Sequence, residues 1–138
     1  MHRWLIKSEP ATWSWQDHVR AGTTEWDGVR NHQAKLNLQA MRRGEQAFFY
    51  HSGKDKQIVG IVTVVKEYYP DPTDKTGRFG MVDFKVVSPV PSPVTLAQIK
   101  SDKRLKDLAL VKNTRLSVQP VDARSWRIIC KMGNNPCP

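Results

Sequence analysis

The chain has little cysteine, comparatively little acid and no long apolar run, and each shortage removes a class of protein. Cys130 and Cys137 are the only cysteines in 138 residues. Both lie near the C-terminus, so a disulfide framework does not hold this fold; a bridge between them would close only the tail. No apolar stretch approaches the length needed to span a bilayer, and Met1-His2-Arg3-Trp4 runs straight into strand-like sequence without a signal-peptide pattern. A cytoplasmic protein with no membrane partner is the expectation. His2, His18, His32 and His51 show no ligand spacing with one another or with the cysteines. The His-x-Glu and Pro-Cys-x-x-Cys pair of zinc deaminases is missing, and so is a Gly-rich phosphate loop. No metal and no cofactor are expected.

Acid is scarce in one region above all. Asp and Glu number 13 against 22 Lys and Arg, for a formal net charge of +9. Residues 100–138 hold nine of the cations against Asp102, Asp107 and Asp122, whereas residues 61–99 balance at four and four. Such an excess either keeps a surface solvated or favours a polyanionic partner, because neutralising phosphates releases counterions.

What the chain does have begins with Trp26-Asp27-Gly28-Val29-Arg30-Asn31-His32-Gln33. Asp27 is placed to cap a helix running to Arg43, with Gly44 beyond its end. Ala34, Leu38 and Met41 form its apolar stripe, widened by Leu36 and Ala40. On the other face Arg30, Gln33 and Asn37 follow at i, i+3 and i+7, directly behind a Trp-bearing turn. An aromatic plate beside an Arg and two amides suits a flat, polar ligand such as a nucleobase. Arg30 in a first helical turn opposes the helix dipole, so it calls for a ligand or a buried carboxylate, with Glu9 a candidate. Trp26 itself is open between core and stacking surface, and Tyr50 is open in the same way.

The rest of the chain predicts one domain over residues 1–132 and an unstructured tail over 133–138. Strands are expected at Trp4–Ser8, Thr23–Trp26, Glu45–His51, Gln57–Val65, Met81–Val87 and Arg115–Gln119. Gly60 inside the fourth of these marks a bulge or a close backbone approach. Ser14 with Asp17, and Thr95 with Gln98, have the form of capping boxes, and Asp122 can cap a last helix burying Trp126, Ile129 and Cys130. The first helix should bury Trp15 and Val19, and in the last strand Leu116 and Val118 should face in with Arg115, Ser117 and Gln119 out. Tyr68–Thr73 reads as a rigid loop start, and Pro89, Pro91 and Pro93 as an extended connector. Strands with short helices between them give an α/β (α+β) fold, a curved or closed mixed sheet with helices around it.

Several blocks then resemble the EVE domain family. They are Trp4-Leu5-Ile6-Lys7-Ser8-Glu9-Pro10, Trp26-Asp27-Gly28-Val29-Arg30-Asn31, Phe48-Phe49-Tyr50-His51-Ser52, Tyr69-Pro70-Asp71-Pro72-Thr73, Pro93-Val94-Thr95-Leu96-Ala97-Gln98-Ile99-Lys100 and Arg115-Leu116-Ser117-Val118. His32 and Lys35 depart from the Tyr and Arg common at those places. The resemblance implies a PUA-like mixed β pseudo-barrel with surrounding short helices, related to the YTH readers of methylated adenine. It implies a module that takes a modified base of DNA or RNA, for example methylated or hydroxymethylated cytosine, into a pocket. By motif that pocket draws on Lys7, Ser8, Trp26, Val29, Arg30, Asn31, Tyr50, His51 and Ser52, to which the helix spacing adds Gln33. Lys7, Lys35, Arg115 and Ser117 are candidates for the nucleic-acid backbone, with other C-terminal basic residues beside them.

The partner expected is therefore nucleic acid, bound by a monomer that is not an enzyme. A hydrolase or transferase acting on modified nucleotides, with His51 as general base, is the alternative, and a protein-interaction module with a basic face is a third reading. The His51-Ser52 pair does not make a dyad directly, because neighbours on a strand point to opposite faces.

Overall fold

A computed structural model describes residues 1–135. Six strands form one sheet in the order β2-β5-β4-β3-β1-β6. They are β1 (Arg3–Ser8), β2 (Thr23–Glu25), β3 (Gln46–His51), β4 (Gln57–Pro70), β5 (Gly80–Thr95) and β6 (Val118–Val121). Among the described residues only the β1–β3 pair is parallel, joined through the crossover that contains α1 (Trp15–Ala21), β2 and α2 (His32–Ala40). The remaining helices are α3 (Leu96–Ser101), α4 (Ala109–Lys112) and α5 (Ala123–Met132), with a 3-10 turn at Lys103–Leu105. Among the described residues no helix is long and apolar enough to cross a membrane.

Strands β1 and β3 are apolar at consecutive positions because both faces of the sheet are covered there. Trp4, Ile6, Ala47 and Phe49 enter a core with Trp26, Phe84 and the helix residues Ala34, Leu38 and Met41. Leu5, Phe48 and Tyr50 enter a second core under α3–α5, where Phe48 stacks on Trp126 at 3.8 Å between ring centroids. Helix α2 touches β6 at one edge of the sheet and β4 and β5 towards the other, so it closes the curved sheet over the first core.

The helix boundaries differ instructively from expectation. Asn31, not Asp27, caps α2, its side chain accepting from Ala34 N–H, and the helix ends at Ala40. The turn Trp26–Arg30 is instead irregular, held by tertiary contacts described below. Gly28 within it has φ +77°, a conformation open to glycine and strained for other residues. Leu36 and Ala40 do not widen the buried stripe; both are exposed, and Asn37 takes the inward place because its amide donates to the Val118 carbonyl of β6 at 2.7 Å. In α1 the capping box of Ser14 and Asp17 forms, but His18 is buried beside Trp15 while Val19 faces solvent.

Strands β4 and β5 run longer than their apolar segments. They continue as a ribbon through Tyr69↔Met81 and Pro70↔Gly80, so the expected loop start at Tyr68 is still strand. The proline-rich connector is the outer part of β5, where Pro89 opposes Gly60. Gln119 is buried rather than outward, because its amide satisfies the Leu116 and Asn113 carbonyls. Residues 133–135 are not loose: Ser92 N–H donates to the Gly133 carbonyl, and the Asn134 amide donates to the Ser92 hydroxyl. The Cys130–Cys137 pair lies outside the described residues through Cys137.

Candidate functional site

The C-terminal end of β1, the loop between β1 and α1, the turn between β2 and α2, and the approach to β6 surround a cavity of about 680 Å³. Chain connectivity explains the convergence. Lys7 N–H donates to the Ser117 carbonyl and Ser52 N–H to the Ser8 carbonyl, so β1 ends flanked by the β6 approach and the end of β3. The turn is delivered to the same place because Trp26 N–H donates to the Val82 carbonyl of β5.

A buried carboxylate makes that turn rigid. Asp71, just beyond β4, accepts from Gly28 N–H at 2.9 Å and from the Arg30 guanidinium at 3.1 Å, both through Oδ2. Its Oδ1 takes Thr73 N–H at 2.7 Å and the Thr73 hydroxyl at 2.6 Å. Burial pushes the Asp71 carboxyl up, but the bonds from Thr73, Gly28 and Arg30 outweigh it and leave the pKa at about 2. Arg30 also donates to the Thr73 hydroxyl and lies 5.7 Å from the Phe79 ring centre. Its carboxylate partner is thus Asp71 and not Glu9, whose carboxylate packs against Gly53.

The cavity gathers Lys7, Ser8, Trp26, Val29, Arg30, Asn31 and Ser117 from the residues singled out by sequence. Trp26 is 9% exposed and contributes an edge, because most of its ring lies among Phe49, Phe84 and His18. Asn31 spends its carbonyl on the helix cap, and its NH2 group makes no hydrogen bond within the described residues. Lys7 donates to the Thr114 carbonyl at 2.8 Å, and partial burial lowers its pKa.

Other candidates lie elsewhere. Gln33 is exposed and bonds to Asn37, which points into the protein, so the expected row of Arg30, Gln33 and Asn37 does not form. Tyr50 is buried in the second core, as strand alternation after Phe49 requires. His51 is buried; its Nε2 accepts from Trp15 N–H at 2.9 Å and its Nδ1 faces Asp55 at 3.3 Å, so both ring nitrogens are engaged and a general-base role has no opening. Ser52 and Arg115 do not border the cavity. Lys35 also stands outside the wall, 5.6 Å from the Phe79 ring centre. Among the described residues no group of three or more His, Cys, Asp or Glu side chains is placed to hold a metal ion.

Sequence reasoning missed Trp13, which borders the cavity, and His18 behind it. It placed Asp71 in a rigid loop and in one of the EVE-like blocks, but not at the site. The cavity wall further includes Glu9, Glu25 and Asp27, so it mixes acid with Lys7 and Arg30. Cations collect outside: Lys35 beside Phe79, in whose loop Lys75 and Arg78 are exposed, and Arg115 beyond Thr114. Arg124, Arg127 and Lys131 occupy the solvent face of α5, on the core opposite to the one behind the cavity.

Residues 2–132 match the EVE domain family profile. The chain belongs to the EVE domain family. It is 36% identical over 164 residues to thymocyte nuclear protein 1 of Gallus gallus, covering 94% of this chain and 67% of that protein. The solution structure of Rpa0253 from Rhodopseudomonas palustris is 54% identical, with a TM-score of 0.92 over 97% of this chain and 94% of that one. The crystal structure of human THYN1 in complex with DNA containing 5-methylcytosine is 33% identical, with a TM-score of 0.91 over 99% of this chain and all of that one (100%).

Proposed function

We propose that this EVE domain binds a modified base of nucleic acid, 5-methylcytosine in DNA being the first probe to test, with the base inserted in the cavity beside Trp13 and Trp26. The observation that carries the reading is the cavity itself, about 680 Å³ with aromatic wall and free amide donor, in a chain so close in structure to the human protein crystallised with such DNA. Asn31 offers its NH2 to a base acceptor. The acids Glu9, Glu25 and Asp27 disfavour a phosphate inside, so the backbone belongs on Lys7 in the cavity wall and on the outer cations Lys35, Lys75, Arg78 and Arg115. The base must leave its stack to enter, at a cost of a few kcal/mol that favours single-stranded or weakened sites. One buried methyl contributes only about 0.8 kcal/mol, so polar contacts must supply the rest of the discrimination. One chain acts on one base, and no catalytic step is needed.

Binding of short DNA and RNA oligonucleotides carrying cytosine, 5-methylcytosine, 5-hydroxymethylcytosine or N6-methyladenine, at two salt concentrations, tests this. The reading expects one modification to bind several-fold tighter at both salt levels. Equal and steeply salt-dependent binding by all of them would reduce the protein to a basic surface.

A further inference from the structure

We infer that Trp13 is the ring against which the inserted base stacks, and that His18 is the positioning residue that fixes it; this rests on the base-binding reading above. Two tryptophans border the cavity, and their surroundings divide the work between them. Trp26 has Phe49, Phe84 and His18 around its ring, at centroid distances of 5.6, 5.9 and 6.0 Å, and is 9% exposed. That ring is committed to the core. Trp13 packs against the first core but is only partly buried, and among the described residues its one aromatic ring neighbour is His18, edge-on at 6.0 Å. It is the aromatic side chain with surface left to offer a ligand.

The chain positions Trp13 through local rules. Ser14 caps α1, which puts Trp13 one residue before the cap and His18 at the fourth helical position, the two places that pair when a chain enters a helix. Here the pair is polar. Trp13 Nε1–H donates to His18 Nδ1 at 3.1 Å, and His18 Nε2 lies 2.9 Å from the Phe84 carbonyl of β5. An acceptor at Nδ1 and a donor at Nε2 make the imidazole neutral with its proton on Nε2. The His18 ring is fully buried, so its orientation is fixed by the core and passed on to Trp13. The Ser8 hydroxyl donates to the Trp13 carbonyl, and Trp13 N–H donates to the Glu9 carbonyl at 2.9 Å, which hold the backbone as well. A platform set before the ligand arrives loses little freedom on binding.

The test is titration with a short single-stranded DNA bearing one 5-methylcytosine, read by affinity and by the tryptophan indole N–H signals in NMR. In the wild type the Trp13 indole signal, assigned by its disappearance in Trp13→Phe, should move on binding. Trp13→Leu should weaken binding about tenfold to a hundredfold, and Trp13→Phe, which keeps an aromatic face, should lose less. His18→Leu should displace the indole signal in the free protein and weaken binding. His18→Gln, whose carbonyl and amide can take both roles, should restore both. A folded Trp13→Leu protein binding like the wild type, or an indole signal unmoved while the DNA binds, would overturn this inference and leave the base-binding reading standing. Equal effects of His18→Leu and His18→Gln would overturn the positioning role. A wild type that binds none of the modified oligonucleotides more tightly than the cytosine one would overturn the base-binding reading, and this inference with it.

Discussion

Asp71 does at one position what the composition of the site turn does not do for itself. The turn holds a glycine at positive φ, an arginine and no regular hydrogen-bonding pattern, so its shape depends on a partner from elsewhere. A carboxylate held at about 2 against an ordinary 3.8 stabilises the fold by about 2 kcal/mol. Because the folded pKa is the lower, that contribution is complete above 3.8 and disappears as pH falls towards 2. His18 is also depressed, chiefly by desolvation and despite the Phe84 carbonyl, so its contribution is complete above 6.5 and declines as pH falls below that. Urea melts across the acid range should therefore show two declines in stability, one beginning below 6.5 and one below 3.8. Asp71→Asn should shrink the lower one, to which Asp74 and Asp102 also contribute, and cost about 2 kcal/mol at neutral pH. An unchanged acid limb in Asp71→Asn would contradict the assignment.

Elements were legible where local rules decide them. The caps at Ser14, Thr95 and Asp122 all form, because a side-chain oxygen three residues before an N–H is a local arrangement. The start of α2 was misplaced because Asp27 and Asn31 both have capping chemistry, and the choice fell to Asp71, forty residues away in the chain, which takes the turn for itself. Gly60 was read as a bulge or close approach, and both occur: the β4–β5 register shifts between Ile58 and Gly60, and the Trp15 ring of α1 lies over the glycine. Gly60→Ala would drive a methyl into that ring. It should cost about 1–3 kcal/mol in a denaturant melt, and a change near zero would mean that α1 can shift freely. Arg30, Gln33 and Asn37 show the limit of periodicity. Equal spacing on a helix could not show that Arg30 precedes the first turn or that Asn37 faces β6.

Across the whole molecule the charge is divided by the sheet. Cations near the cavity come from α2, the loop after β4 and the segment before β6, while Arg124, Arg127 and Lys131 lie over the second core. The C-terminal excess of positive charge seen in the sequence thus belongs only in part to the site. Reversing those three α5 residues to Glu should leave the preference for a modified base in a short oligonucleotide unchanged. It should flatten the salt dependence less than reversing Lys35, Lys75 and Arg78, measured as the slope of affinity against salt. The opposite ranking would move the nucleic-acid path to the α5 face.

The sequence by itself determined the places of the six strands, the capping boxes at Ser14 and Thr95 and the cap at Asp122, and the EVE resemblance, which the family match over residues 2–132 establishes. It also brought Lys7, Ser8, Trp26, Val29, Arg30, Asn31 and Ser117 to notice, seven residues that the fold gathers at one cavity. Only tertiary structure decided that Tyr50 and His51 turn away, that Arg30 is held by Asp71, and that Trp13 rather than Trp26 keeps an open ring. The reason is physical. Caps and alternation act within a few residues, whereas a buried carboxylate chooses its donors, and a ring its neighbours, among groups that meet only when distant strands are side by side.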